Sequence, residues 1–207
     1  MKTRSEDVKE KILQESIKLF LTKGFWGSST NELVRLAGVS KGTLYWHFEN
    51  KNDILHNILD RYCDEFIEVA KKKINAYSGD FPDKFKVFYK FTTEFGRDKS
   101  ELLLVFTALL IEFAGTGCEI EGRMKDINNQ FNLIIQKLIE DGICDGTAKK
   151  EIDPVISSRF ISGALMGSHL QWYLYLSSHK NDPAYHRKHA IIQRDGLLKI
   201  LLLEPPQ

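Results

Sequence analysis

The stretch from Ser28 to Lys51, SSTNELVRLAGVSKGTLYWHFENK, constrains the fold more than any other part of this 207-residue chain, because it sets two short helix signals on either side of one glycine. Ser29 precedes Glu32 by three positions, the spacing of a capping box in which each side chain bonds the other's backbone N–H. A helix therefore starts near Thr30, buries Leu33, Val34 and Ala37, and stops at Gly38, where glycine takes the left-handed conformation without steric cost. Ser40 caps a second short helix through Tyr45, with Leu44 and Phe48 as its apolar contacts. Upstream, Val8, Ile12, Leu13, Ile17 and Phe20 form one stripe of an amphipathic helix that ends near Gly24. Two short helices across a glycine turn make a helix-turn-helix.

In such a unit the second helix enters the DNA major groove N-terminus first, so its leading residues should be small and able to hydrogen-bond. Ser40, Lys41, Gly42 and Thr43 meet that need: Lys41 reaches a guanine edge or a phosphate, Gly42 permits close backbone approach, and Thr43 offers a hydroxyl and a methyl. Tyr45, Trp46, His47 and Lys51 follow around the helix end, where phosphate contacts fix register. Ser29 and Thr30 present hydroxyls and free N–H groups at a helix N-terminus, a further phosphate site. Aromatics at helical spacing are ordinarily core. That reading is taken for Phe48, while Tyr45 and His47 carry polar tips beside Ser40 and Lys41. The net charge of +1 gives no global sign of a nucleic-acid partner, but residues 1–51 carry +3 and the remainder −2.

The run AGVSKGTLYWHFENKNDIL resembles the signature of the tetracycline-repressor (TetR) family of bacterial transcription regulators, and the preceding ILQESIKLFLTKGFWGSSTNELVRL resembles that family's first two helices. The resemblance covers about a quarter of the chain. It implies that Ser40, Lys41, Gly42 and Thr43 occupy recognition-helix positions and that Thr30, Tyr45, His47 and Lys51 touch phosphates. Trp46 departs from the usual tyrosine.

Beyond Lys51 the helices lengthen. Asn50 caps one whose buried face is Ile54, Leu55, Ile58, Tyr62 and Phe66, running to the loop AYSGDFPD. The next carries Val87, Phe88, Phe91 and Phe95. Another spans Glu101 to Phe113, and a further one carries Met124, Ile127, Phe131, Ile134 and Leu138. Asp153-Pro154 and Asp182-Pro183 each read as an N-cap followed by proline at the first helical position. The expectation is an all-α chain: an N-terminal three-helix helix-turn-helix DNA-binding domain, residues 1–51, and a larger helical ligand-binding and dimerisation domain, residues 52–207. The apolar runs are too short to cross a bilayer and the N-terminus lacks a signal-peptide centre, so a cytoplasmic protein without membrane contact is expected. Cys63, Cys118 and Cys144 lie far apart, with neither a disulfide framework nor a zinc ribbon.

The segment FISGALMGSHLQWYLYL is apolar nearly all round, which a helix tolerates only when both faces are covered. Gly163 and Gly167 allow a second helix to come close, and the last helix ends in LLKILLL. The resemblance implies a four-helix homodimer interface here, with Gly163, Gly167, Leu170, Leu198 and Leu201 as its expected residues. It also implies a small-molecule effector, apolar or aromatic, received among Tyr62, Phe66, Phe88, Phe91, Phe131 and Tyr173. Tyr62, Gln130, Gln171 and Tyr173 are the polar anchors.

No hydrolase, zinc-protease, phosphate-loop or dinucleotide motif is present, so neither enzyme nor cofactor is expected. His179, His186 and His189 with Asp182 match no common metal spacing and read as a polar loop. Glu112, the only charge between Leu102 and Ala114, reads as the wet face of its helix or as a counter-charge for a cationic ligand. A repressor that binds a double-stranded palindromic operator and is released by its effector is the leading expectation. A regulator answering to a partner protein is the alternative, and a helical metalloenzyme a remote third.

Overall fold

The computed structural model of the chain describes residues 4–175 and 182–202. The all-α expectation holds: outside its turns the described backbone is helical, with one isolated antiparallel bridge between Ala148 and Leu202. In order the helices are α1 (Arg4–Lys23), α2 (Thr30–Ala37), α3 (Lys41–His47), α4 (Lys51–Tyr62), α5 (Glu68–Asn75), α6 (Phe81–Asp98), α7 (Ser100–Phe113), α8 (Glu119–Cys144), α9 (Pro154–Leu174) and α10 (Pro183–Leu201). The sequence predicts one helix from residue 51 to the loop at 76; the structure interrupts it with a π-helical turn at Cys63–Ile67. The wider π turn adds a residue to the helical repeat and so shifts the buried face, which places Phe66 and Ile67 in the core.

Two compact units share these helices. One comprises the described residues up to Glu65 together with Lys99–Lys125; the other comprises Phe66–Asp98 and the described residues from Asp126 onward. The expected boundary at residue 51 differs from this division, in which compact packing adds α4, α7 and the start of α8 to the three N-terminal helices.

In the first unit α1 supplies the buried stripe Ile12, Leu13, Ile17 and Phe20, and packs on α2, α4 and α7. Leu33, Ala37, Leu44 and Phe48 from α2 and α3, Ile54, Leu55 and Ile58 from α4, and Val105, Leu109 and Phe113 from α7 complete the core. Each such side chain contributes about 1.5–3 kcal/mol of transfer free energy, which is what holds helices as short as α2 and α3. Arg61 of α4 adds ion pairs to Glu10 of α1 at 2.6 Å and to Glu65 at 2.8 Å, and Arg123 of α8 pairs with Asp60.

In the second unit α6 presents Phe81, Phe85, Phe88 and Phe95 to the core, joined by Phe131, Ile135 and Leu138 of α8. Gly142 lets the Phe81 ring lie against α8, since a Cβ there would sit 2.6 Å from the ring. Polar bolts tie α6 to the last two helices. Tyr89 Oη donates to Gln193 Oε1 at 2.6 Å, Gln193 Nε2 donates to the Ala164 carbonyl at 2.8 Å, and the His169 ring lies 3.1 Å from the Thr92 carbonyl.

Candidate nucleic-acid interface

Side-chain caps build the helix-turn-helix. Ser29 Oγ accepts from the Glu32 N–H at 3.2 Å, and Glu32 turns its carboxylate to Lys23 Nζ at 2.6 Å, so the expected capping box becomes a cap plus an ion pair to the end of α1. Gly38 takes φ 63°, and the Val39 N–H then reaches the Val34 carbonyl at 3.2 Å, closing α2 with a six-residue loop. Ser40 Oγ accepts from the Thr43 N–H at 3.0 Å and also meets Thr43 Oγ1 at 2.8 Å, so it both caps α3 and orients the threonine. Asn50 caps α4 through the Asp53 N–H at 3.0 Å, and Asp53 accepts from the Glu49 N–H at 2.9 Å.

These caps leave one outward surface. Ser40, Lys41 and Gly42 are exposed and Thr43 is half-buried; a Cβ on Gly42 would meet nothing nearer than Ser40 Oγ at 3.7 Å, so that approach is open. Tyr45 and Trp46 are exposed, Trp46 at 72%, while the neighbouring Phe48 is buried at 1%, which divides the aromatics of this helix into outward and core sets. Tyr45 Oη and Thr30 Oγ1 stand 3.5 Å apart, so the start of α2 and the middle of α3 share this surface, with exposed Ser29 beside them. His47 is half-buried, and desolvation followed by the Lys9 charge pulls its pKa below the usual histidine value. A neutral imidazole at pH 7 follows.

Lys51, for which a phosphate contact is expected, directs its ammonium to the turn between α1 and α2. Its ammonium donates to the carbonyls of Phe25 at 2.7 Å and Ser28 at 2.9 Å and lies 4.2 Å from the Phe25 ring centroid. Desolvation there lowers its pKa, partly offset by the Glu112 charge. The Phe25 carbonyl also accepts from the Ser28 N–H at 3.2 Å and from Ser28 Oγ at 2.7 Å, so the ammonium joins a turn that already folds on itself. Glu112 is the complement that sequence reasoning missed: its Oε2 accepts from the Phe25 N–H at 2.8 Å and its Oε1 from the Trp26 N–H at 2.9 Å. Its isolation among the apolar residues of α7 was the available signal.

The expected effector residues fall into three environments. Phe66, Phe88, Phe91 and Phe131 do come together in the second unit: Phe66 lies 5.6 Å from Phe91 and 5.3 Å from Phe131, and Phe88 lies 5.7 Å from Phe131. Phe95 joins them at 4.7 Å from Phe66. Lys73 stands 5.8 Å over the Phe91 ring, and Lys71 donates to Gln130 Oε1 at 3.2 Å. Asn132 Oδ1 is buried without a hydrogen-bond partner. Tyr62 belongs to the first unit, where it stacks on Phe106 at 4.1 Å and burial pushes its phenol well up. Tyr173 and Gln171 are exposed on α9.

The α9 helix divides cleanly. Ser158, Ile161, Ser162 and Leu165 face inward, whereas Ile156, Phe160, Gly163, Gly167, Leu170 and Leu174 form an exposed stripe at alternating spacings of four and three. On α10, Leu198 and Leu201 depart from the expected interface role: they are buried inside the chain, because α10 turns that face onto its own unit. Ile192, Gly196 and Ile200 are exposed instead. Of the three histidines expected in a polar loop, His179 lies outside the described residues, as does the side chain of His186, and His189 is exposed.

Residues 12–58 match the family model for bacterial regulatory proteins of the tetR family. The chain is 23% identical over 163 residues to the fatty acid metabolism regulator protein of Bacillus subtilis, covering 79% of this chain and 82% of that one. It is 28% identical over 141 residues to the biofilm operon icaADBC negative transcriptional regulator IcaR of Staphylococcus aureus, covering 65% and 70%. Its fold superimposes on the Bacillus subtilis transcriptional regulator FadR solved with stearoyl-CoA at a TM-score of 0.70 and 20% identity, over 93% and 97% of the two chains. The capped helix-turn-helix lies inside the matched segment, so residues 12–58 are similar to bacterial regulatory proteins of the tetR family and the fold as a whole is similar to that of solved transcriptional regulators.

Proposed function

We propose that the chain represses transcription by binding a palindromic operator as a homodimer in the cytoplasm and lets go when an acyl-chain effector, such as a long-chain acyl-CoA, enters its helical domain. The outward set Ser40, Lys41, Gly42 and Thr43 at the start of α3 carries the DNA part of the reading, because residues at that end of a recognition helix reach base edges. Ser29, Thr30, Tyr45, Trp46 and His47 supply flanking phosphate and sugar contacts. The exposed stripe Ile156, Phe160, Gly163, Gly167, Leu170 and Leu174 supports the dimer, since an apolar seam at helical spacing is costly to leave in water.

The effector class draws support from two directions. Relatives of similar length are a fatty acid metabolism regulator and a regulator solved with stearoyl-CoA. In this chain the aromatic cluster around Phe66 and Phe91 has Lys73 over the Phe91 ring and Lys71 against Gln130, a combination suited to an apolar chain with an anionic head. The effector must bind the released state better than the bound one, or nothing shifts. Titration of a protein–operator complex with palmitoyl-CoA, free CoA and apolar aromatics tests the class. Release by palmitoyl-CoA alone is expected. Response to none of them puts the partner-protein reading in front.

A further inference from the structure

We propose that Glu112 is a positioning residue for operator binding: from α7 it fixes the turn that leads into the helix-turn-helix, so the seating of α2 and α3 is set by α7 as well as by α4. The turn between Gly24 and Ser28 separates α1 from the N-cap Ser29, and within it the Ser28 N–H and Oγ donate to the Phe25 carbonyl at 3.2 and 2.7 Å. Further holds on the turn come from two helices. One carboxylate on α7 accepts both the Phe25 N–H at 2.8 Å and the Trp26 N–H at 2.9 Å, while one ammonium on α4 donates to the Phe25 and Ser28 carbonyls at 2.7 and 2.9 Å. The residue after Glu112 completes the bracket, with the Phe113 ring centroid 5.3 Å from that of Phe25 and 5.4 Å from that of Trp26. Gly24 makes the approach possible: it takes φ 72°, and a Cβ there would stand 2.9 Å from Glu112 Oε1.

A carboxylate that grips two successive N–H groups fixes a turn in direction as well as distance, because both of its oxygens are committed. Any displacement of the end of α7 therefore reaches Ser29, which follows the turn at once and caps α2. Trp26 is exposed at 63% although its N–H is held, so the carboxylate grips the backbone of a turn whose side chain largely faces solvent. A wet-face glutamate would have neither partner.

This inference rests on the reading of α3 as the DNA-reading helix, and the test separates the two. Full-length wild type, Glu112→Gln and Glu112→Ala are compared on a duplex that the wild type enriches from random DNA and on a scrambled duplex. Glutamine keeps one acceptor oxygen and turns an amide donor toward the other N–H, so its affinity for the enriched duplex should fall about tenfold while scrambled DNA changes by less than about twofold. Alanine should lose more. Unchanged affinity for the enriched duplex, or an equal loss on both duplexes, overturns the positioning role while leaving the DNA-reading assignment standing. A wild type that enriches no sequence overturns that assignment, and the inference with it. Should neither variant fold, amide exchange on the wild type decides: the Phe25 and Trp26 N–H groups are expected to be protected in the free protein and more so on DNA. Exchange at the rate of an open turn in both states overturns the proposal.

Discussion

Lys51 and Lys41 have the same chemistry and opposite surroundings, and the difference is measurable. Lys41 is exposed at the start of α3, whereas the Lys51 ammonium is engaged by two carbonyls and the Phe25 ring. Lys41→Ala should lower the salt dependence of DNA binding by about one unit, as the loss of a counterion-releasing contact does. Lys51→Ala should leave that slope unchanged and cost about 2 kcal/mol of folding stability, from two charge-assisted hydrogen bonds. Binding isotherms at several salt concentrations and denaturant unfolding of both variants check this; a slope lowered by Lys51→Ala would instead support a phosphate contact for it. The sequence supplies that a lysine stands at the head of α4 but not where its four-carbon stem leads, since the turn it closes is brought to it by tertiary packing. Ser40, by contrast, is legible as a cap because its partner Thr43 is three residues away. Local hydrogen bonds can be read from spacing; long-range ones such as that of Glu112 cannot.

Among the elements, α6 shows how a half-buried histidine acts on stability. His169 of α9 lies against the Thr92 carbonyl in a notch left by Gly96, where a Cβ would stand 2.3 Å from the ring. Burial holds its pKa down to about 4, with the hydrogen bond to Thr92 opposing the shift. A folded value below the ordinary 6.5 means that the neutral ring's contribution is complete above pH 6.5 and is lost as pH falls toward 4. The loss should total roughly 3 kcal/mol, and His169→Gln should remove that share of the pH dependence in the window. Denaturant midpoints from pH 7 to pH 4 test it, and parallel curves for the two proteins would refute it. Helix starts at Asp153-Pro154 and Asp182-Pro183 are legible in the sequence because cap and proline are adjacent. The π turn at Cys63–Ile67 leaves no such mark, as it answers to packing and not to any residue that breaks a helix.

For the whole molecule, the apolar circumference of α9 was legible, and so was its need for a cover, but which leucines of α10 face out was not. Apart from Lys199, LLKILLL is apolar, so the packing of α10 on its own unit is what sorts buried Leu198 and Leu201 from exposed Ile200. A dimer built on the outer stripe should be split by Phe160→Asp or Gly167→Arg with helicity retained, whereas Leu198→Asp should unfold the chain. Sedimentation with circular dichroism distinguishes them; dimers that survive both outer substitutions would place the interface elsewhere.

Selection of duplexes from a random DNA pool by the full-length protein, read by sequencing and footprinting, tests most directly that α3 of a symmetric pair reads an operator. The expected product is an inverted repeat whose half-sites lie about one helical turn, ~34–36 Å, or a multiple of it apart, with Thr43→Ala changing the preferred bases within each half-site. Enrichment of no sequence, or of one that Thr43→Ala leaves unaltered, would contradict the account.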